Sequence, residues 1–114
     1  PEIFNDRLFV IIIGHVLSAA ATFASVLKDN TKAYFIGEET GGACDAHNAS
    51  VISFVLPNTK IKIDVPLRRY YQPVVNRLPG RGVIPDKAIS LTREDLIGNF
   101  DQPISYIFDS IIVK

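Results

Sequence analysis

The chain has 114 residues, 47% of them hydrophobic, which is enough for one packed globular domain or part of one. Lysine plus arginine and aspartate plus glutamate number 12 each, so charge gives no basis for binding nucleic acid or an anionic membrane surface. No apolar run reaches the roughly 18 residues that a membrane-spanning helix requires.

The single cysteine limits the kinds of cross-link and metal site that the chain can form, and its first residue indicates a longer protein. A single cysteine, Cys44, excludes an internal disulfide and a cysteine-built metal site, and we expect it to be a small apolar residue of the core or of a loop. Nothing in the sequence predicts a cofactor. The chain begins with Pro1 rather than methionine and shows no signal peptide, so we expect a piece of a longer protein.

Residues 8–27 predict an apolar strand, a short turn and a helix. Six consecutive apolar residues, 8–13, suit a strand covered on both faces, as in a parallel sheet. Gly14 ends this strand, and a helix begins near Ser18. The helix is predicted to pack on the sheet through an apolar stripe, opposite a polar one. The apolar stripe comprises Ala20, Phe23, Ala24 and Leu27, and the polar one Thr22, Ser25 and Lys28.

The hydroxyl of Ser18 has two interpretations. It can cap the helix by accepting a hydrogen bond from an orphan backbone N–H group of the first turn. It can also be a nucleophile whose oxyanion is stabilised by the same amides and by the helix dipole. Caps are common and nucleophiles are rare, so the position alone favours the cap.

The segment after the helix completes a strand–helix–strand unit. Residues 32–37 are a second short apolar strand, and this spacing predicts a right-handed βαβ crossover in a parallel sheet. A small, polar loop follows at residues 38–49. Ligands of parallel sheets bind at the carboxyl ends of the strands, and both this loop and Ser18 lie at that edge.

A β-hairpin is predicted next. Residues 50–56 are extended, Pro57-Asn58 forms a turn, and residues 60–65 alternate between apolar and polar, as in a strand with one wet face. We expect Pro66 to break the second strand, with residues 67–71 as a separate extended piece. Residues 72–81 are expected to be irregular.

The last quarter of the chain predicts one short strand and two helices. The strand covers residues 88–91, and Thr92 begins a helix with Asp95 in a capping-box-like position. The second helix is predicted over residues 103–113, with Pro103 in its first turn. Its apolar stripe comprises Ile104, Ile107, Phe108 and Ile111.

Four motifs carry a resemblance to a known family. They are L-S-A-A-A-T-F-A at 17–24, I-G-E-E-T-G-G at 36–42, F-V-L-P-N-T-K-I-K at 54–62 and G-R-G-V-I-P-D at 80–86. Each motif alone is a weak signal, but their order and spacing are specific. Together they resemble the C-terminal processing, or tail-specific, serine peptidases, a family that includes the tricorn core protease. The resemblance extends over residues 8–108.

The resemblance implies a fold and a nucleophile. The fold is an α/β catalytic domain related to the ClpP/crotonase architecture, with a mostly parallel sheet, a βαβ unit, a β-hairpin and C-terminal helices. The serine that opens the helix is the family's nucleophile, which here is Ser18, and the amide of Ala19 contributes to the oxyanion hole. Residues 1–114 are then expected to be the C-terminal portion of a serine peptidase catalytic domain.

The general base of the family has no counterpart at the expected positions. In the tail-specific branch a lysine after the G-E-x-T motif is the base, and the aligned residue here is Ala43. In the tricorn-like branch the base is a histidine from an upstream segment, and an acid stands where this chain has Pro79. Two local candidates remain. His47 follows the glycine pair, and His15, three residues before Ser18, is expected to be a turn residue that points away.

Three functions are compared. The first is a serine endopeptidase that uses Ser18 and is inactive as an isolated fragment. The second is a catalytically dead relative that binds peptide tails, which the missing lysine and acid favour. The third, a crotonase-like acyl-CoA enzyme, would need an acyl-binding amide pair and a nucleotide pocket, and the sequence shows neither.

The resemblance also implies partners and a location. The expected partners are a peptide or protein substrate, the upstream part of the same catalytic domain, and a second copy of the chain at an exposed sheet edge. No nucleic acid is expected. The parent protein is expected to be periplasmic, secreted or lipid-anchored.

Overall fold

The computed structural model describes residues 6–75 and 78–112, which form a mixed α/β fold with two separate sheets. The strands are β1 (Phe9–Ile12), β2 (Tyr34–Gly37), β3 (Ala46–Val55), β4 (Lys62–Tyr71) and β5 (Lys87–Ala88). The helices are α1 (Ser18–Asn30), α2 (Arg93–Gly98) and α3 (Gln102–Tyr106), which a π-helical segment, Ile107–Ile112, extends. None of these described helices is both long and apolar enough to cross a membrane.

The parallel sheet confirms the predicted strand–helix–strand unit. Its strand order is β1-β2-β5, and β1 pairs in parallel with β2, with Phe9 opposite Tyr34 and Ile12 opposite Gly37. Because α1 connects these two strands, its first turn and the loop after β2 both lie at the carboxyl edge of the sheet.

The main core cluster lies on the face of this sheet that carries Ile12 and Phe35, and Ile36 is buried on the opposite face. Ile12, Phe35 and Ile36 are at most 2% exposed, whereas Ile11 and Ile13 are 40% and 41% exposed. The prediction that the first strand is covered on both faces is therefore wrong for the described part of the chain. The strand is the outer one of the three described strands, so one face and one edge have no covering layer there.

Helix α1 packs on the sheet through a different face from the predicted one. Its buried residues are Ala21, Ala24 and Ser25. Of the predicted stripe, Ala24 is buried and Leu27 packs against the core, whereas Phe23 is 68% exposed. Small side chains allow the helix to approach the sheet closely. Burial of the Ser25 hydroxyl is tolerated because its Oγ donates a hydrogen bond to the Ala21 carbonyl, at 2.8 Å.

Strands β3 and β4 form the predicted antiparallel hairpin, with three differences. The first strand begins at Ala46, so His47 lies in β3 and not in a loop. Pro66 does not break the second strand but lies within β4, opposite Val51. A two-stranded ribbon consists only of edge strands, where a residue without an N–H group is tolerated. Residues 50–71 are exposed on both faces, so the expectation of a single wet face is also wrong.

Residues 78–88 bind the helix, the sheet and the loop after β2 together. The Asp86 carboxylate accepts hydrogen bonds from Lys28 Nζ at 2.7 Å and from the Phe35 amide at 2.8 Å. Burial raises the pKa of Asp86, but these bonds to its charged form outweigh burial and leave the pKa below its ordinary value. Gly82 is buried against Thr40, and a Cβ at this position would collide with the Thr40 carbonyl oxygen.

The helix starts of the C-terminal segments follow the sequence prediction, but the predicted strand at 88–91 is only the two-residue β5, and of the predicted stripe Ile107 is buried whereas Ile104 and Phe108 are exposed. Thr92 accepts a hydrogen bond from the Asp95 amide and the Asp95 carboxylate accepts one from the Thr92 amide, which confirms the capping box. Pro103 lies in the first turn of α3, as predicted. The helical path continues as a π-helix to Ile112, and the predicted end at residue 113 lies outside the described residues.

Candidate active site

Ser18 is the first residue of α1, but its side chain does not cap the helix. The N-cap position belongs to Leu17, which has an extended backbone and makes no side-chain cap bond. Ser18 itself has a φ of 48°, a left-handed value that a residue with a Cβ rarely adopts. The interpretation of Ser18 as a plain cap is therefore wrong.

The hydroxyl of Ser18 faces solvent. The residue is exposed, and its Oγ has no hydrogen-bond partner within the described residues. Backbone strain of this kind costs about 1–3 kcal/mol and clusters at functional sites. A sharp turn that presents a serine at the junction of a strand and a helix is typical of nucleophiles.

The amide of Ala19 is the nearest candidate for stabilising an oxyanion. Within the described part of the chain this N–H group has no hydrogen-bond acceptor, and the first helical bonds are donated by Ala20 and Ala21 to the Leu17 carbonyl. Ala19 is exposed. An unpaired amide at the positive end of a helix dipole favours negative charge next to the Ser18 hydroxyl.

The loop after β2 lies directly against the start of the helix. The Gly42 amide donates to the Val16 carbonyl at 3.0 Å. A Cβ added at Gly42 would be 3.2 Å from the Ser18 nitrogen and 2.6 Å from the Ala21 Cβ, so only glycine fits without displacement. The predicted proximity of this loop to Ser18 is therefore present in the fold.

An ion pair between Arg81 and Glu39 also holds the loop after β2. Arg81 donates to both carboxylate oxygens of Glu39, at 2.8 and 2.6 Å, and the Gly82 amide donates to Oε1 at 2.8 Å. The Arg81 hydrogen bond, followed by that from Gly82, lowers the pKa of Glu39 to about 2. The loop that faces Ser18 is thus anchored to residues 81–82.

We expect the ion pair between Glu39 and Arg81 to contribute less to the free energy of unfolding at acid pH. The pKa of Glu39 is lower in the folded protein than the ordinary 4.5, so its contribution to stability is complete above that value and is lost as pH falls toward about 2. In urea unfolding at a series of pH values, a Glu39→Gln variant should be less stable than wild type at pH about 6, and the difference should shrink on acidification. A difference that stays constant with pH would contradict this account of the loop.

The two histidines lie in different surroundings. His15 is exposed in the turn between β1 and α1, in line with the expected turn position. His47 is half-buried on β3, where its Nδ1 lies 3.2 Å from Thr22 Oγ1 on α1. Gln72, which follows β4, donates from Nε2 to the same Thr22 oxygen at 2.9 Å. His47 is therefore attached to the helix that begins with Ser18.

Sequence reasoning missed two members of this group. Thr22 was assigned only to the polar stripe of the helix, although its position four residues after Ser18 places both on one face. Gln72 carried no signal, because it lies in a segment expected to be irregular, yet it is 2% exposed. Cys44 is buried, as expected.

A cavity of about 210 Å³ between α1 and residues 74 and 78–84 has a lining that includes Ser25, Cys44 and Val83 and does not include Ser18. Among the described residues, no group of three or more histidine, cysteine, aspartate or glutamate side chains is placed to hold a metal ion.

Comparison with protein-family models identifies the family of the chain. A model of Peptidase family S41 matches residues 1–89, which is more than half of the chain. A search of curated proteins found no match. The matched range contains the strand–helix–strand unit, Ser18, the loop after β2 and the hairpin. The chain therefore belongs to peptidase family S41, the C-terminal processing peptidases.

Proposed function

We propose that this chain is part of a serine endopeptidase and that Ser18 is its nucleophile. The observation that carries the proposal is the exposed Ser18 hydroxyl, held by a left-handed backbone at the start of α1 beside the Ala19 amide, which has no acceptor among the described residues. Membership of a peptidase family supports the same reaction class.

The proposed reaction is acyl transfer through a covalent intermediate. Ser18 Oγ attacks the scissile carbonyl carbon, and a base accepts the hydroxyl proton. The Ala19 amide donates to the oxyanion of the tetrahedral intermediate. When the C–N bond breaks, the same proton passes to the leaving amine. Water then hydrolyses the acyl-enzyme ester in the reverse sequence of steps and regenerates the hydroxyl.

We further propose that the chain forms the C-terminal portion of a ClpP/crotonase-like catalytic domain. The parallel β1–α1–β2 unit with a serine at the helix start supports this architecture. The outer edge of β1, next to the exposed Ile11 and Ile13, is suited to pairing with an upstream strand of the same domain. A structure of the full-length protein in which this edge has no neighbour would contradict this part of the proposal.

A fluorophosphonate probe tests the nucleophile directly. We expect the full-length protein to be labelled, and peptide mass mapping should place the adduct on Ser18. Ser50 is a matched internal control, because it is also exposed and also has a positive φ, of 54°, but lies in β3 and not at a helix start. If strain and exposure alone made a serine reactive, both residues would be labelled.

Two outcomes would overturn the proposal. Labelling at another serine would move the nucleophile elsewhere. No labelling in the full-length protein, combined with measurable binding of unstructured peptides, would favour the alternative function, a relative that binds peptide tails without cutting them. Labelling in the full-length protein but not in residues 1–114 alone would support the proposed need for the upstream part.

A further inference from the structure

Three hydrogen-bonded side chains and one stacked ring form a group below the start of α1. Thr22 Oγ1 is the centre of this group, and it contacts the Ser18 carbonyl oxygen at 3.2 Å, His47 Nδ1 at 3.2 Å and Gln72 Nε2 at 2.9 Å. Gln72 Nε2 is also 3.5 Å from His47 Nδ1. The fourth member, Tyr70, stacks on the His47 ring with centroids 5.6 Å apart and an interplanar angle of 18°.

Counting protons assigns the tautomer of His47. The Ser18 carbonyl can only accept, so Thr22 must use its single hydroxyl proton in the bond to it. With that proton committed, Thr22 Oγ1 can only accept from its other two neighbours, the Gln72 amide and His47 Nδ1. We infer that neutral His47 carries its proton on Nδ1, because the Gln72 Nε2 contact that needs the other tautomer is the longest of the group, at 3.5 Å; Nε2 then has a free lone pair.

The position of Thr22 brings this imidazole close to Ser18. Residues four apart on a helix share a face, with Cβ atoms about 5–6 Å apart, and helical side chains tilt toward the N-terminus. Thr22 therefore leans toward Ser18, and the ring bound to it lies about one helical turn or less from the start of α1. Stacking on Tyr70 and the bond to Thr22 restrict rotation of the ring.

We propose that His47 is the general base of this site, and that it accepts the Ser18 hydroxyl proton on Nε2, directly or through one water molecule. This inference rests on the proposed function of Ser18. Thr22 and Gln72 are positioning residues, because they hold the tautomer and orientation of the ring without touching the reacting atoms.

On α1 the ring contacts Thr22, which does not titrate, and on the hairpin it stacks on Tyr70. Arg69, next to Tyr70 in the chain, and the buried Asp45, two residues before His47, form an ion pair with a nitrogen–oxygen distance of 3.7 Å. Neutral imidazole is the form that accepts a proton, so the reaction should accelerate as pH rises.

The labelling rate with a fluorophosphonate measures this proton transfer. In that reaction the Ser18 Oγ–P bond forms, the P–F bond breaks, fluoride leaves, and the hydroxyl proton passes to His47 Nε2 and then to solvent. In the full-length protein, a His47→Gln variant should react about 10²-fold or more slowly at pH 7 and should lose the rise in rate between about pH 5 and 8.

Two matched variants separate catalysis from packing. His15→Gln, which changes the other histidine of the chain, should leave the rate and its pH dependence unchanged. A His47→Gly variant should regain labelling when free imidazole is added, a rescue that loss of packing alone would not produce.

The outcomes distinguish this inference from the proposed function. If wild type is labelled at Ser18 and His47→Gln is labelled at the same rate, His47 is not the base and the nucleophile stands. If wild type is not labelled, the nucleophile and the base are both overturned.

A measurement on wild type covers the case in which the variants fail to fold. Imidazole nitrogen NMR should show His47 protonated on Nδ1 in the neutral form, with Nε2 bare. Protonation on Nε2 instead would overturn the assignment.

Discussion

Replacing Ser18 with glycine or alanine should abolish hydrolysis, and the glycine variant should be the more stable of the two. Loss of the nucleophile lowers kcat/KM by about 10³-fold or more. At an ordinary helical position glycine is about 1 kcal/mol less stable than alanine. At a φ of 48° that order should reverse, because alanine keeps the strain of a left-handed backbone and glycine does not.

Hydrolysis of an unstructured protein substrate and urea unfolding of the same samples check both parts. Ala20 is the matched control, since it is exposed on the same helix two residues later. Ala20→Gly should lose about 1 kcal/mol of unfolding free energy. If alanine is more stable than glycine at position 18 as well, the strained turn is absent in solution. If the variants that lack Ser18 still hydrolyse substrate, the nucleophile is another residue.

Replacing Phe35 with alanine should lower the free energy of unfolding by about 3–5 kcal/mol, the typical cost of removing a buried aromatic ring. The side chain is 0% exposed and packs with Ile12, Ala24 and Val83. Its loss therefore opens a cavity between the sheet, α1 and residues 78–88. Lys28 Nζ lies 4.9 Å from the ring centroid and would lose this contact also.

Urea unfolding followed by circular dichroism measures this cost. Phe23→Ala is the matched control, because the same ring is 68% exposed on α1 and its removal should change stability by only a fraction of the Phe35 effect. Since Phe35 connects the elements that hold Ser18, its variant should also lose fluorophosphonate labelling as the folded fraction falls. Equal effects of the two substitutions would mean that the core is not centred on β2.

Local patterns were sufficient to predict most elements of the fold. The apolar runs at β1 and β2, separated by a helical segment, predicted a parallel pair, and the Thr92–Asp95 spacing predicted the capping box. These features depend on interactions between residues that are close in the chain, and hydrophobic periodicity and capping residues indicate such interactions directly. The buried face of α1 could not be predicted so well, because a serine whose hydroxyl bonds within its own helix is as easily buried as an alanine.

The candidate site was predictable only in part. A serine at the junction of strand and helix pointed to Ser18 and Ala19, but its left-handed backbone arises where the turn meets Gly42, a residue from a distant loop. The contact of Thr22 with His47 and Gln72 joins residues 25 and 50 positions apart in the chain. No local periodicity encodes such a meeting, because it depends on how the hairpin docks against α1.

The hairpin has a further mechanical consequence for the site. His47 and Gln72 lie at its root, and β3 runs about 26 Å from His47 to its far end at Val55. The hairpin therefore projects a long way from the imidazole, which lies where the hairpin is attached to α1. A tilt of about 5° about this attachment displaces the distant turn by about 2 Å, whereas an atom within about 3 Å of the attachment moves only about a tenth as far. The outer turn can therefore be displaced by a neighbouring molecule while the His47 ring keeps its position beside Thr22.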